Sequence, residues 1–516
     1  MQDPKSIGGK FPAPQEAADL VVIGGGAAGL AAAIEAAEAG ARVVMIDENP
    51  VAGALIGLDV PLLYGGRLAG AGGNKDRLIE RIVAASPDFE RAFDLGIDVR
   101  LGAYAWGAFV NGPALAALPS PLVGLADEEH ASLVGFDKLI IATGARDLVL
   151  NFAGSDLPGV IGANALYAML ARYDSFSGRR LVILGSGELA LASVRLAQER
   201  GLEIAALIEV GREAETALPP DLPLFAGYVI LRAEGDVSGV TSAVLGPVGG
   251  GPEVRVECDT IVLAFGSVPN VELLDVLGAT LTQMLARGGF VSTLLPPATS
   301  LPNVFVAGDA GGLCPVANPE TAAMQGRAAA RAALGLPYTS PTVAAAPDTF
   351  GYADAWLGAL RAANGDEVMA CRCEEVSRAD LLGVQPPRYL GARSACMQTQ
   401  DLAQLAADGP LNPDQIKRLT RAGMGPCQGR RCREQVALLL AEAAGMAPGT
   451  IPLASYRAPV RPLPLAVLAA TEETPAMRAA WEVWFGIASQ WVPYDDIGTE
   501  RETEAEGYGL IGEPPL

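Results

Sequence analysis

Four cysteines in two tight pairs are the residues whose spacing points most directly to chemistry. They are Cys371 and Cys373 in CRCEEV, and Cys427 and Cys432 in GMGPCQGRRC. Four thiolates grouped in this way can hold an iron–sulfur cluster. A structural four-cysteine zinc site is the competing reading. Zinc ligand pairs are more often C-x2-C, so the C-x-C pair favours [2Fe-2S]. Cys427 and Cys432 straddle a Gly/Gln/Arg turn just ahead of the helical run REQVALLLAEAAG. Backbone N–H groups there can point at cluster sulfurs, and Arg430 and Arg431 can offset an anionic cluster; both effects raise its potential. Cys258, Cys314 and Cys396 stand alone and read as packing residues or surface thiols, although Cys314 follows closely on a motif assigned below to a flavin. A C-x-x-C dithiol is absent from the sequence, which leaves a dithiol reductase mechanism without support.

The elements that must position this chemistry begin with a glycine fingerprint. ADLVVIGGGAAGLAAAIEAAEAGARVVMIDENP reads as strand, turn, helix and strand, the first strand near Leu20–Ile23 and the second ending at Asp47. The G-x-G-x-x-G pattern is weak alone but strong between a strand and a helix with an acid about 20 residues on. Gly24 permits the tight turn, Gly26 lets the backbone approach a pyrophosphate, and Gly29, just after Ala28, lets helix and strand pack closely. The helix N-terminus offers N–H groups and partial positive charge to phosphates. Asp47 is expected to bind the adenosine ribose hydroxyls, with Glu48 the nearby alternative.

LPNVFVAGDAGG decides the dinucleotide as FAD. A late strand ending in Gly308-Asp309 places Asp309 to bond the ribityl chain. Thr321 and Ala322, near the start of the next helix, can point its positive end at the flavin ring. IIATGAR, with Thr143 and Gly144, is the expected crossover between two nucleotide domains. A flavin site upstream of a cluster means that electrons move along this polypeptide, so the chain reads as a redox relay.

A second unit, GRRLVILGSGELALASVRLAQERGLEIAALIEV, repeats the plan with Gly185, Gly187, Glu188 and Ala190 in its turn and Glu209 at its second strand end. An acid there disfavours a 2′-phosphate, so NAD(H) is preferred over NADP(H). Whether this site binds NAD, another adenine nucleotide or nothing stays open, because fold alone does not establish hydride transfer.

The 516 residues carry a formal charge of −22, and the isoelectric point is about 4.5. Such a surface repels phosphate backbones and anionic lipid, which argues against nucleic acid as a partner. No segment reads as a transmembrane span, the N-terminus lacks an apolar signal core, and the cysteine usage fits a reducing cytoplasm. The single histidine, His130, reads as a solvated loop residue.

The expected fold is α/β: two Rossmann-like dinucleotide-binding domains of the glutathione/thioredoxin-reductase type, the second inserted in the first, plus a small, mainly helical cluster domain. The boundaries are 1–150 and 276–345 for the discontinuous FAD-binding domain and 151–275 for the second nucleotide-binding domain. A linker with a short helix (346–365), a [2Fe-2S]-binding domain (366–450) and a C-terminal tail (451–516) follow. In the tail, Trp481, Trp484, Phe485 and Trp491 form a stripe that suits either a subunit contact or a helix packed on its own chain.

Together, GGGAAG, the DENP strand end, ATGAR, AGD and CRCEEV…RAGMGPCQGRRC resemble the FAD and iron–sulfur α subunits of heteromeric amino-acid and opine dehydrogenases. This group includes opine oxidases, hydroxyproline and dye-linked proline dehydrogenases and the cyanide-forming glycine dehydrogenase. The cysteine module is similar to the bacterioferritin-associated ferredoxin type of [2Fe-2S] domain. The resemblance covers roughly residues 18–465. It implies an electron-transfer α subunit that takes electrons from a flavin-containing β subunit of D-amino-acid-oxidase fold, where the C–N bond is oxidised. It further implies a small γ subunit or an FMN at a subunit interface in some relatives, and a downstream acceptor such as a quinone or an electron carrier. Through such partners the chain would sit in the cytoplasm or peripherally at the inner membrane. The sequence departs from the pattern in a longer segment between the cysteine pairs and in VAGALIG, where relatives often show Gly-Gly-Gln. The rival readings are a self-sufficient NAD(P)H:acceptor oxidoreductase and a non-catalytic iron–sulfur or nucleotide interaction module.

Overall fold

The computed structural model describes residues 13–51, 67–112, 118–312, 318–339, 348–390 and 401–470, with isolated positions beyond. Cys314, Cys396, most of VAGALIG and the aromatic stripe of the tail lie outside the described residues.

The opening strand, Glu16–Ile23, has Leu20, Val21 and Val22 wholly buried. A continuous apolar run of this kind belongs to a parallel strand covered on both faces. It pairs in parallel with Val43–Asp47 on one side and with Ala131–Ile141 on the other. The full sheet runs 98–101, 43–47, 16–23, 131–141, 122–126, 104–109. Strand 131–141 has two roles. Its first half pairs antiparallel with Leu122–Ala126, and its end pairs in parallel with Val304–Val306, which returns much later in the chain. That return makes the first domain discontinuous.

The intervening chain forms a second, all-parallel sheet in the order 224–226, 203–209, 180–184, 260–263, 160–162. Two short antiparallel strands, Ala145–Asp147 and Ser267–Pro269, carry the chain out of the first domain and back. A three-stranded antiparallel sheet, 228–236, 239–247 and 254–257, completes the insertion.

Residues 349–364, read from sequence as part of a linker, form a 16-residue helix capped by the Asp348 side chain. Phe350, Ala353, Trp356, Leu357 and Leu360 line its buried face at helical spacing. The Trp356 ring lies 4.8 Å from that of Phe265 in the second domain. The Pro- and Ala-rich composition behind the linker reading belongs mostly to the stretch before this helix.

The cysteine module is a short hairpin, Met369–Cys371 with Val376–Ser377, surrounded by helices 378–382, 402–408, 413–420 and 433–443. From it, residues 451–463 double back over the first domain. Val460 N–H donates to the Trp106 carbonyl at 2.7 Å, and Tyr104 Oη donates to the Pro462 carbonyl at 3.0 Å. Among the described residues no helix is long and apolar enough to cross a membrane.

Candidate cofactor sites: the flavin groove and the cysteine cluster

In the first fingerprint, Gly24 has φ +112°, and a Cβ there would run into the Ala142 carbonyl. A Cβ at Gly29 would overlap the Gly24 carbonyl, so only glycine lets the helix Ala27–Glu38 sit this close to the turn. Gly26 is the N-cap of that helix and has open space where its Cβ would be. An unfilled backbone concavity at a helix N-terminus is what a pyrophosphate requires. Asp47 accepts from Gly25 N–H at 2.5 Å, from Asn49 N–H at 2.7 Å and from Asn49 Nδ2 at 2.8 Å. It still borders the open groove beside Glu48. Glu48 also accepts from Arg461 Nε, 2.9 Å away, on the returning segment.

The groove is a cavity of about 1180 Å³ between the two nucleotide domains. Gly24, Gly26, Ala28, Asp47, Thr143, Gly144, Asp309 and Ala322 all border it, so most residues assigned to FAD from sequence meet around one space. Thr143 and Asn270 hold the crossover closed. Thr143 Oγ1 donates to the Asn270 carbonyl at 3.0 Å, and Asn270 Nδ2 donates to the Thr143 carbonyl at 2.9 Å. Asp309 is exposed in a short turn. The helix Pro319–Ala333 is capped by Asn318, whose side chain accepts from Glu320 and Thr321 N–H. Thr321 therefore sits in the first turn, while Ala322 faces the groove. Gly326 brings this helix onto helix 27–38; a Cβ there would collide with the Ala28 carbonyl.

The second fingerprint has the same local form. Gly185 has φ +115°, and the helix Glu188–Glu199 starts from Gly187, with Glu188 in its first turn and Ala190 fully buried. Glu209 differs from Asp47 in that it is 1% exposed and does not border the groove. Its Oε2 accepts from Ser186 Oγ at 2.5 Å and from Tyr352 Oη at 2.6 Å, and its Oε1 accepts from Gly211 N–H at 2.8 Å.

The four paired cysteines converge. Cys371 Sγ is 3.9 Å from Cys373 Sγ, which is 3.6 Å from Cys427 Sγ. Cys432 lies against Cys371. Two thiolates on one tetrahedral metal with bonds of about 2.3 Å would be about 3.8 Å apart, so Cys373 lies at a distance that suits sharing one ion with either Cys371 or Cys427. Gly423 N–H points at Cys371 Sγ, 3.4 Å away. A Cβ at Gly425 would stand 2.5 Å from Cys373 Sγ, so the loop is cut to fit the sulfurs. Hydrogen bonding to Cys371 comes first among the causes that push the Cys373 thiol up to about 11. Close, buried sulfurs resist ionising together without a cation between them. Among the described residues no group of three or more His, Cys, Asp or Glu side chains is disposed around a single ion. Cys258 is a buried thiol pushed up to about 12 by burial, as a packing residue should be. His130 is exposed.

Sequence reasoning named Arg430 but missed Arg146, Glu272 and Glu434, which join it to the crossover. Arg146, two positions after Gly144, is fully buried. Its Nη1 lies 2.7 Å from Glu272 Oε1 and its Nη2 lies 3.0 Å from Glu434 Oε1. Its Nε donates to the Arg430 carbonyl at 3.1 Å, inside the Cys427–Cys432 loop. Burial works to raise the Glu272 pKa, but Arg146, Arg430 and Arg433 outweigh it and hold the carboxyl below its usual range. Arg430 borders the flavin groove, and its side chain pairs with Glu272 at 3.7 Å, whereas Arg431 acts on Cys427. Arg433 Nη1 donates to Tyr456 Oη at 2.8 Å. The one available signal was the charge density of GRRCRE beside the ATGAR arginine; nothing in the sequence pairs them.

A groove lined by two glycine fingerprints, the second domain inserted in the first, defines a class. Residues 18–333 match the family model described as pyridine nucleotide-disulphide oxidoreductase, and the chain belongs to that family, whose FAD-binding fold it shares. Residues 395–472 match the sarcosine oxidase A3 domain. An opine oxidase subunit of Agrobacterium tumefaciens (strain Ach5) is 27% identical, over 87% of this chain and 91% of its own length. The hydrogen cyanide synthase subunit HcnB of Pseudomonas protegens is 27% identical, over 80% of this chain and 89% of its own. Sarcosine oxidase alpha of Rhizobium meliloti (strain 1021) is 25% identical over 85% of this chain and 41% of its own length. In fold, the chain is similar to L-proline dehydrogenase from P. horikoshii, with a TM-score of 0.59 and 19% identity over 89% of this chain and 81% of that one. The protein is a flavoprotein oxidoreductase subunit related to opine oxidase and sarcosine oxidase alpha.

Proposed function

We propose that the chain is the FAD- and [2Fe-2S]-containing electron-transfer α subunit of a heteromeric dehydrogenase that oxidises the C–N bond of an amino acid, opine or related amine. Its electrons come from the flavin of a catalytic β subunit. They leave to a quinone or other carrier. One observation carries the reading: the cysteine loop and the flavin groove share a wall. Arg430 belongs to the Cys427–Cys432 loop, yet it borders the groove, and its carbonyl is held by Arg146 from the crossover motif. Bound FAD would supply two-electron uptake with single-electron release, and a [2Fe-2S] cluster a one-electron acceptor. The relatives support the division of labour, since the opine oxidase chain and HcnB are both named as subunits.

In this reading Gly26 and the N-terminus of helix 27–38 hold the pyrophosphate, Asp47 the adenosine ribose and Asp309 the ribityl chain. Thr143 and Asn270 fix the crossover, and Cys371, Cys373, Cys427 and Cys432 hold the iron. An FMN or a small γ subunit would lie at the contact with the β subunit. The full chain purified without air should contain FAD, iron and acid-labile sulfide and should not oxidise amino acids alone. Cys427→Ser should lose the iron, the sulfide and the cluster's visible bands while keeping FAD. Protein without iron or labile sulfide, or bands that survive the substitution, would defeat the assignment.

A further inference from the structure

We propose that Tyr352 is a built-in occupant of the second dinucleotide site and a specificity-determining residue: it stands where an adenosine ribose would have to meet Glu209, and so excludes NAD(H) as electron donor. The two acids at the ends of equivalent strands make the case. Asp47 in the first domain borders the open groove. Glu209 in the second is 1% exposed, and Tyr352, which does border the groove, lies between it and that space. The tyrosine hydroxyl does what a ribose hydroxyl would do. It donates to Glu209 Oε2 at 2.6 Å and accepts from Ser186 N–H at 3.0 Å, in the glycine turn itself. A Cβ built on Gly185 would stand 3.4 Å from the same oxygen, so the ring tip rests on the turn that a dinucleotide must approach.

The remaining acceptor positions are also engaged. Ser186 Oγ donates to Glu209 at 2.5 Å and accepts from Glu215 N–H at 2.9 Å, and Gly211 N–H donates to the other carboxylate oxygen at 2.8 Å. Tyr352 is not a loop residue that swings aside. Its helix buries Phe350, Trp356, Leu357 and Leu360, and its C-terminal Asn364 binds the Ala153 N–H at 2.8 Å and the Ile230 carbonyl at 3.1 Å. A dinucleotide entering here would have to displace the Tyr352 ring from Glu209 and the Ser186 N–H.

The inference is independent of whether the cysteines hold iron, and its test reads nucleotide binding alone. The FAD-loaded full chain is titrated with NADH and NAD+ up to about 1 mM, with binding followed by calorimetry and flavin bleaching by anaerobic absorbance. The unaltered chain should give no heat, no bleaching and no added amide-exchange protection at residues 185–191. Tyr352→Ala should bind NAD+ at least about tenfold more tightly than the unaltered chain, and adding Glu209→Ala should remove the gain. Binding or bleaching in the unaltered chain overturns the proposal whether or not the variant folds. So does a folded, FAD-loaded Tyr352→Ala protein that gains nothing, or a gain that survives loss of Glu209.

Discussion

At the residue scale the clearest unsatisfied group is Asp147, on the strand that leaves the first domain. Its Oδ1 accepts from Asn164 N–H and Nδ2, both at 3.0 Å, while Oδ2 is buried without a partner. Burial pushes this carboxyl up to about 7 against the stabilising pull of Asn164. The folded chain therefore binds a proton that the unfolded chain has released between the ordinary carboxylate pKa and about 7. The contribution of Asp147 to stability falls as pH rises through that window and flattens above it. Denaturant titrations from pH 4.5 to 8 should show this slope, and Asp147→Asn should remove its contribution. An unchanged slope in the variant would mean that Asp147 is already ionised. Residues of this sort were invisible in the sequence, where Asp147 was one acid beside ATGAR. The glycines were legible because Gly24 and Gly29 answer to backbone geometry that the motif itself encodes. The cysteines were legible because their spacing is local.

At the element scale, the parts that failed to show themselves are those whose partners lie far along the chain. Arg146 meets Glu434 across 288 positions, a pairing that no periodicity can reveal. For the helix Thr349–Asn364, a short helix in the linker was legible, but its packing against distant Phe265 and Ile230 was not. Its core contacts show that it belongs to the second domain's packing. Arg146 gives the element-scale prediction. Arg146→Met would leave Glu272 and Glu434, each 3% exposed at the side chain, short of a buried cation. Removing one partner of a buried pair costs about 3–5 kcal/mol. Arg430 and Arg433 remain nearby, so the low end of that range is expected by chemical denaturation. Amide exchange should also rise in the 423–434 loop. A loss under about 1 kcal/mol would show that the network tolerates neutralisation.

At the scale of the whole molecule, residues of both nucleotide domains line one groove, and the cysteine module is tied to the crossover motif through the Arg146 network. The two-domain plan followed from sequence because each βαβ unit is self-contained: strand, glycine turn, helix, acid. How the third module docks did not follow, since that depends on buried charges rather than on pattern. The division of electron sources is a molecule-scale property too. If Tyr352 fills the second dinucleotide site as proposed, NAD(H) is not the donor, and the proposed donor brought by another polypeptide fits relatives that are named as subunits.

The doubling-back of residues 451–463 bears on how a cofactor stays in place. Val460 and Arg461 border the groove, and Arg461 reaches Glu48 beside the expected adenosine end. This stretch forms part of the groove's rim, so its contact with Glu48 is expected to slow a bound prosthetic group's passage through that doorway. Arg461→Ala should leave the amount of bound FAD little changed but quicken its release into dilute buffer. An unaltered rate of release would show that the doorway is held by something else.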